Sequence, residues 1–281
     1  MKEKIKSFYK CIPLIFFLVL LYSCSSNDEL ILKPEKTPEL SKLYKKAFDL
    51  YEDGRWSESI KFFQKVETKY SFSEWAPKAS LMIMYIYYEG GEYYSALEYG
   101  NRFKKLYASS KNLDYVDYIM AMCFYEQIDN SARDQTYTKE ALKRFKSLIK
   151  EYPNSIYAEE VYYKLDLINE QLAGKEIYIA RFYMKKSKWI PAIKRLKNIV
   201  NNYDQTIYID EALHRLVEIY YKLGNIKESK KYAAILGYNF NDSNWYKKTY
   251  KIVVDKNYLI HQKKQKKKFR DRVKKMFQFS K

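Results

Sequence analysis

The chain has 281 residues, a formal net charge of +18 at neutral pH, and only 7 Gly and 6 Pro against 31 Tyr. Few helix breakers among many Lys, Leu, Ile and Glu residues predict an all-α protein. With 2 histidines, no Gly-rich phosphate loop and no Gly-x-Ser-x-Gly motif, the sequence favours neither a metal site, nor a nucleotide site, nor an enzyme. We therefore expect no catalytic residues, no metal and no cofactor.

Residues 1–23 predict an export signal. Lysines precede the apolar run of residues 11–22, and Leu21-Tyr22-Ser23-Cys24 follows the pattern of a bacterial lipoprotein cleavage site. A bilayer-spanning helix needs about 20 apolar residues, more than this run provides. We therefore expect cleavage before Cys24, acylation of its thiol and stable attachment to a membrane through several acyl chains.

Two details qualify this prediction. Tyr22 is bulky for a lipoprotein site, so an ordinary cleaved secretory signal is the alternative. Ser25 and Ser26 follow the cysteine, where an Asp would resemble an inner-membrane retention signal. Outer-membrane sorting is therefore the expectation.

The mature chain is predicted to begin with a tether and continue as a repeat array. Residues 24–39 contain two prolines and several polar residues, which keep a helix from starting early. From residue 40 to residue 255 the chain repeats itself: Gly54-Arg-Trp and Gly91-Glu-Tyr stand 37 positions apart, each between two apolar stripes of helical spacing. This period predicts tetratricopeptide-like helix–turn–helix units, in which Gly closes the first helix.

In the first two units, small residues, Ser59 and Ala96, are expected to let the two helices approach closely. The remaining units are less regular. Three further units are predicted over residues 113–153, with an insertion at 128–137, and then from residues 158 and 210 onward. About five units would bury a continuous core in an α-solenoid.

The repeat register places five aromatic side chains on the concave side of the array. They are Tyr44, Phe48 and Tyr51 in the first unit and Tyr85 and Tyr88 in the second. Tyrosine offers a large contact area with few rotatable bonds, which suits binding of unfolded, aromatic-rich peptides. The alternative is that these rings belong to the core between repeats.

Most of the positive charge lies in a C-terminal tail, residues 256–281, where eleven Lys and Arg residues stand against one Asp. The spacing of Phe269, Val273, Met276 and Phe277 suits a short basic amphipathic helix, and a frayed charged extension is the alternative. Such a tail binds nucleic acid, lies on anionic lipid or stays solvated. In an exported protein nucleic acid is the weakest of the three, and no nucleic-acid partner is expected.

Cys123 is expected to be a buried structural thiol. If Cys24 carries lipid, Cys123 has no disulfide partner in the mature chain, and it stands among apolar residues. Stability must then come from packing.

Several segments, in this order after a lipoprotein signal, resemble the BamD family of outer-membrane assembly factors. The segments are Arg133-Asp134-Gln135-Thr136, Tyr152-Pro153-Asn154-Ser155, Leu172-Ala173, Trp189 with Ala192-Ile193, and Leu236-Gly237-Tyr238-Asn239 followed by Trp245-Tyr246. The resemblance covers nearly all of residues 24–250, and the Arg-Asp-Gln and Tyr-Pro-Asn-Ser segments are its most specific parts.

The resemblance implies a role and two kinds of partner. It implies a non-enzymatic lipoprotein on the periplasmic face of the outer membrane. Such a protein binds the POTRA domains of a BamA-like barrel protein and the C-terminal segments of unfolded outer-membrane proteins. It also implies that Arg195 contacts a POTRA domain, for which the planar guanidinium fork is suited. We expect Arg133 and Asp134 to form a pair that orders their loop, and a contact surface is the alternative. Another exported repeat protein that coordinates the cell envelope or division is the alternative, and a nucleic-acid binder rests on the tail alone.

Overall fold

The computed structural model describes residues 38–254, which fold as eleven helices without a strand. They are α1 (Pro38–Glu52), α2 (Trp56–Lys69), α3 (Trp75–Glu89), α4 (Tyr93–Leu106), α5 (Leu113–Tyr125), α6 (Thr136–Glu151), α7 (Ala158–Lys185), α8 (Trp189–Asn202), α9 (Ile209–Lys222), α10 (Ile226–Asn239) and α11 (Asn244–Val254). The signal segment, Cys24 with most of the tether, and the basic tail lie outside the described residues. Within this range no helix combines the length and the hydropathy needed to cross a bilayer.

Each helix packs against the next one along the chain, which gives five antiparallel pairs in a row. We call α1, α3, α5, α7 and α9 the A helices and their partners α2, α4, α6, α8 and α10 the B helices. The predicted all-α solenoid of five repeats is confirmed. Helix α11 was not predicted as a separate element. It packs on α9 and α10 and buries Ile252, so it covers the last repeat as capping helices of solenoids do.

The turn between helices A and B has one backbone conformation in four of the five repeats. Gly54, Gly91 and Gly224 have φ of 73°, 73° and 79°, and Ser187 occupies the same place with φ of 57°. In each turn the next residue donates its N–H to a carbonyl five residues earlier, as Arg55 does to Leu50 at 2.9 Å. This is the left-handed helix ending that glycine adopts at least cost.

One position of helix B is small and fully buried in every repeat. Ser59, Ala96, Ala141, Ala192 and Ser229 are each 0% exposed, as the sequence predicted for the first two. The two serine hydroxyls are satisfied by helix A of their own repeat, donating to carbonyl oxygens at 2.7 and 3.1 Å. A larger side chain here would separate the paired helices.

The connections from helix B to the next helix A also repeat. Every helix B is followed directly by an aromatic residue whose carbonyl accepts the N–H of a Ser or Thr three residues later: Tyr70, Tyr107, Tyr152, Tyr203 and Phe240. Because Lys69 at the end of α2 contacts Glu39 at the start of α1 (Nζ–Oε1 2.6 Å), these connections share one edge with the beginning of α1. We call it the N-terminal edge, and the edge that holds the A–B turns the opposite edge.

Helix α7 has 28 residues, about 42 Å, and belongs to two cores. Its first half contributes Val161 and Ile168 to the core shared with α5 and α6, and its second half contributes Ile177 and Ala180 to the core of the last two repeats. The backbone N–H of Ile207, just before α9, donates to Glu170 in the middle of α7 at 3.0 Å. Repeats four and five are therefore displaced along α7 relative to repeats one to three.

The insertion of the third repeat is ordered by its own side chains and docks on α7. Helix α5 ends at Tyr125 and α6 starts at Thr136, slightly earlier than predicted. Arg133 pairs with Asp129 at 3.0 Å, and Asp134 accepts the N–H of Thr136 at 2.8 Å, so both residues order the loop but do not pair with each other.

Candidate functional site

The five aromatic residues predicted for the concave side lie on the adjacent helices α1 and α3. Four of them form a row, in which ring centroids are 6.0 Å apart for Phe48–Tyr51, 6.3 Å for Tyr51–Tyr85 and 6.4 Å for Tyr85–Tyr88. Tyr44 lies deeper. The structure therefore brings the predicted residues together on one surface, which we call the groove.

Tyr44 also packs into the core between repeats. Its ring meets Phe63 of α2 edge-on at 5.2 Å and Trp75 of α3 at 4.7 Å, and burial raises the pKa of its hydroxyl. Phe48, in contrast, is 38% exposed. The core interpretation therefore applies in part to Tyr44, which belongs to both core and surface. The surface interpretation applies to Phe48, which is directed outward.

A depression of about 410 Å³ opens in the groove. Its wall is apolar and aromatic, with one cationic side chain, and consists of Tyr44, Phe48, Tyr51, Lys78, Leu81, Met82, Tyr85 and Tyr115. Lys78, Leu81, Met82 and Tyr115 were not among the residues predicted from the sequence. The 37-residue period could have indicated Leu81, because it corresponds to Tyr44 of the first repeat; Tyr115 belongs to α5 and reaches the groove only through the stacking of the third repeat.

Carboxylates mark one end of the groove. Glu89, the last residue of α3, accepts hydrogen bonds from the hydroxyls of Tyr51 at 2.7 Å and Tyr85 at 3.3 Å, and Glu126 accepts one from Tyr88 at 3.4 Å. The hydrogen bond to Glu89 raises the pKa of Tyr51, and burial raises that of Tyr88. These tyrosines stay neutral and present fixed aromatic faces, which suits contact with apolar and aromatic side chains.

Arg195 lies in the other half of the array, on α8. Its guanidinium Nη1 contacts both carboxylate oxygens of Glu176 on α7, at 3.0 and 3.3 Å. The Arg195 side chain is 41% exposed, whereas that of Glu176 is 14% exposed. Glu176 therefore holds the arginine at the surface in a defined orientation, and any acidic partner group would share it with Glu176.

Two further chemistry-bearing residues have structural surroundings. The ring of His214 is buried against Trp245, its Nδ1 is 2.8 Å from the hydroxyl of Thr249, and burial lowers its pKa to about 4, so the imidazole is neutral. Cys123 is buried, and burial raises the pKa of its thiol to about 12. Among residues 38–254 no three His, Cys, Asp or Glu side chains are grouped as metal ligands.

The chain is similar to a group of bacterial proteins that share one name. A family model described as outer membrane lipoprotein (YfiO) matches residues 36–236. Outer membrane protein assembly factor BamD of Caulobacter vibrioides is 38% identical over 213 residues, which cover 76% of this chain and 70% of that protein. BamD of Rickettsia prowazekii is 35% identical over 219 residues, covering 78% and 86%. BamD of Vibrio cholerae is 28% identical over 226 residues, covering 77% and 92%.

Among solved structures, a thermophilic tetratricopeptide-repeat protein of Thermus thermophilus covers 76% of this chain at a TM-score of 0.34 and 16% identity, a likeness too distant to carry an argument. The family model spans most of the repeat array, including the Arg-Asp-Gln insertion and the groove. The chain therefore belongs to the family of the outer membrane protein assembly factor BamD.

Proposed function

We propose that this protein is a lipoprotein subunit of the outer-membrane β-barrel assembly machinery and that it assists the insertion and folding of outer-membrane proteins. Family membership carries the proposal, since the relatives are named outer membrane protein assembly factors. The mode of action would be binding and positioning, without covalent chemistry. The test is affinity purification from detergent-solubilised membranes. We expect co-purification of a barrel protein with POTRA domains, and stable recovery of a different partner in its place would refute the proposal.

The groove is the proposed site for unfolded outer-membrane proteins. Its apolar floor, with Leu81 and Met82, and its rim of tyrosines match a segment that carries apolar and aromatic side chains. The rings are already held by neighbours, as Tyr51 and Tyr85 are by Glu89, so little side-chain freedom is lost on binding. An extended segment fits such a surface without a defined sequence.

A photo-crosslinking amino acid tests this site. Placed at Phe48, which is 38% exposed, it should capture an unfolded barrel protein added in excess, whereas placed at Tyr94, which is 75% exposed on α4, it should not. Since Tyr94 is the more exposed position, unspecific capture would favour the control. Equal capture at both positions, or at Tyr94 alone, would remove the groove from the proposal.

Arg195 is the proposed contact for the POTRA domain of a BamA-like protein. The contact to Glu176 leaves the Arg195 side chain partly exposed and restricts its rotamers, so the guanidinium is held in one orientation at the surface. A carboxylate of the partner would complete the coordination of the guanidinium.

A charge swap separates this role from a structural one. Arg195→Glu alone places two carboxylates together and should weaken co-purification. The double variant Arg195→Glu with Glu176→Arg restores an internal ion pair, and co-purification should stay weak because the surface charge is still reversed. Recovery of binding in the double variant would show that the internal pair, rather than a partner contact, had been the requirement.

Cys24 is the proposed anchor to the outer membrane, on its periplasmic face. A helical body without a spanning helix in residues 38–254 is compatible with attachment through acyl chains. Cys24→Ser should release the protein from membranes while its helical circular dichroism is unchanged. Persistent attachment of this variant would transfer the anchor to the basic tail or to a protein partner.

A further inference from the structure

Three apolar side chains project from the N-terminal edge, one in each of the first three repeats. Phe72 follows α2 and is 96% exposed, Leu106 ends α4 and is 57% exposed, and Ile156 follows α6 and is 85% exposed. Large apolar side chains exposed singly are ordinary on soluble proteins. They stand at different positions relative to the aromatic residue that follows each helix B, but each lies where one of three successive repeats meets the same edge, and this shared location needs an explanation.

The same edge is where the globular body begins. The start of α1 lies beside the end of α2, as the Glu39–Lys69 contact shows, and the starts of α5 and α7 are joined by a hydrogen bond from the Ser155 hydroxyl to Asp114 at 2.7 Å. Ile207, in the next connection, is 76% exposed, but it lies about 20 Å back along α7 because of the displacement of the last two repeats. The exposed tips of repeats one to three and the origin of the tether thus share one edge.

We propose that the N-terminal edge docks on the bilayer that holds the acylated Cys24, with Phe72, Leu106 and Ile156 inserted at the lipid interface. The inference rests on the proposed lipid anchor and adds a surface and an orientation to it. The fourteen peptide units between Cys24 and Pro38 reach at most about 50 Å, so the anchor keeps the body near the membrane, and this edge is the one that the tether enters. The opposite edge lies a helix length, about 21 Å, farther away.

The charges of the edge favour apolar over electrostatic docking. Exposed lysines at positions 105, 111 and 150 are balanced by exposed glutamates at positions 74, 151 and 159. A surface of mixed sign gains little from anionic lipid. Contact made by the edge should therefore persist at high salt, whereas contact made by the basic tail should be lost.

Fluorescence quenching tests the orientation in the full-length lipoprotein. Phe72→Cys and Ile156→Cys are labelled with an environment-sensitive dye, and Tyr94→Cys on the opposite edge, where Tyr94 is 75% exposed, is the control. Cys24 is blocked by acylation, and buried Cys123, whose pKa is raised to about 12, remains an unreactive thiol. The three proteins are reconstituted in vesicles of phosphatidylethanolamine and phosphatidylglycerol that contain a spin-labelled quencher lipid.

We expect severalfold stronger quenching at positions 72 and 156 than at position 94, unchanged by 0.5 M salt (~4 Å Debye length) or by removal of residues 256–281. Equal quenching at the three positions in vesicles that retain the protein on flotation would overturn the docking while the anchor stands. Failure to float would refute the anchor and the docking together. Quenching that disappears with salt or with the tail would assign the contact to the tail and overturn the proposed apolar edge.

Discussion

Ser187 offers a direct test of how the repeats are closed. Among the four A–B turns with positive φ, it is the single residue with a side chain, at φ of 57°. Its turn otherwise matches that of Gly91: the N–H of Ser187 donates to Met184 at 3.0 Å, and the N–H of Gly91 donates to Tyr88 at 3.0 Å. Ser187→Gly should therefore stabilise the protein.

The expected change in the free energy of unfolding is the difference between two backbone contributions. The left-handed conformation costs a residue with a Cβ about 1–2 kcal/mol. Glycine loses about 0.5–1 kcal/mol more than other residues through its greater freedom in the unfolded chain. The net gain for Ser187→Gly is about 0.5–1 kcal/mol, or about 1–4 °C in Tm for a domain of this size. Gly91→Ala should lose a similar amount, because a Cβ added at Gly91 would meet no atom within 4 Å, which leaves the backbone as the only cost.

Urea and thermal unfolding of the unlipidated body, followed by far-ultraviolet circular dichroism, measure both changes. The paired variants control for each other, since the two turns share a geometry and differ in residue type. If Ser187→Gly leaves the midpoint unchanged or lowers it while Gly91→Ala destabilises, the equivalence of the turns is wrong.

Three further outcomes follow from buried groups. Burial lowers the pKa of His214 to about 4 from 6.5, so its contribution to stability is complete above pH 6.5 and lost as the pH falls toward 4, about 3 kcal/mol in all. As the pH falls over this range, the urea midpoint of His214→Gln should decrease less than that of the unaltered protein. Parallel decreases would contradict the role of His214 in this pH dependence. A Cβ at Gly174 would lie 3.1 Å from that of Ser131, so Gly174→Leu should displace the insertion and speed tryptic cleavage after Arg133; an unchanged rate would show that the loop adapts. Cys123 should react with a thiol reagent only in denaturant, and fast labelling of the folded protein would show local opening.

Sequence patterns predicted five of the groove residues but not which of them are buried and which are exposed. The 37-residue period and the small helix B positions predicted that Phe48 and Tyr85 share one face of the array, and both line the same depression. The pattern could not distinguish Tyr44, whose ring is partly in the core, from the more exposed rings. A helical period indicates which face of a helix a residue lies on and not how deeply it is buried. Nor could it pair Tyr51 with Glu89, 38 positions away, since that contact depends on how α1 and α3 align.

The sequence by itself determined the repeat architecture, because its determinants are local: a glycine that tolerates positive φ, a small residue where two helices touch, and apolar stripes of helical period. Tertiary packing alone decided the arrangement of the repeats. Helix α7 is long enough to enter two cores, and its length displaces the last two repeats. That displacement sets which exposed connections share an edge with the start of α1. Contacts between segments far apart in the chain depend on the cumulative alignment of helices, which no local pattern records.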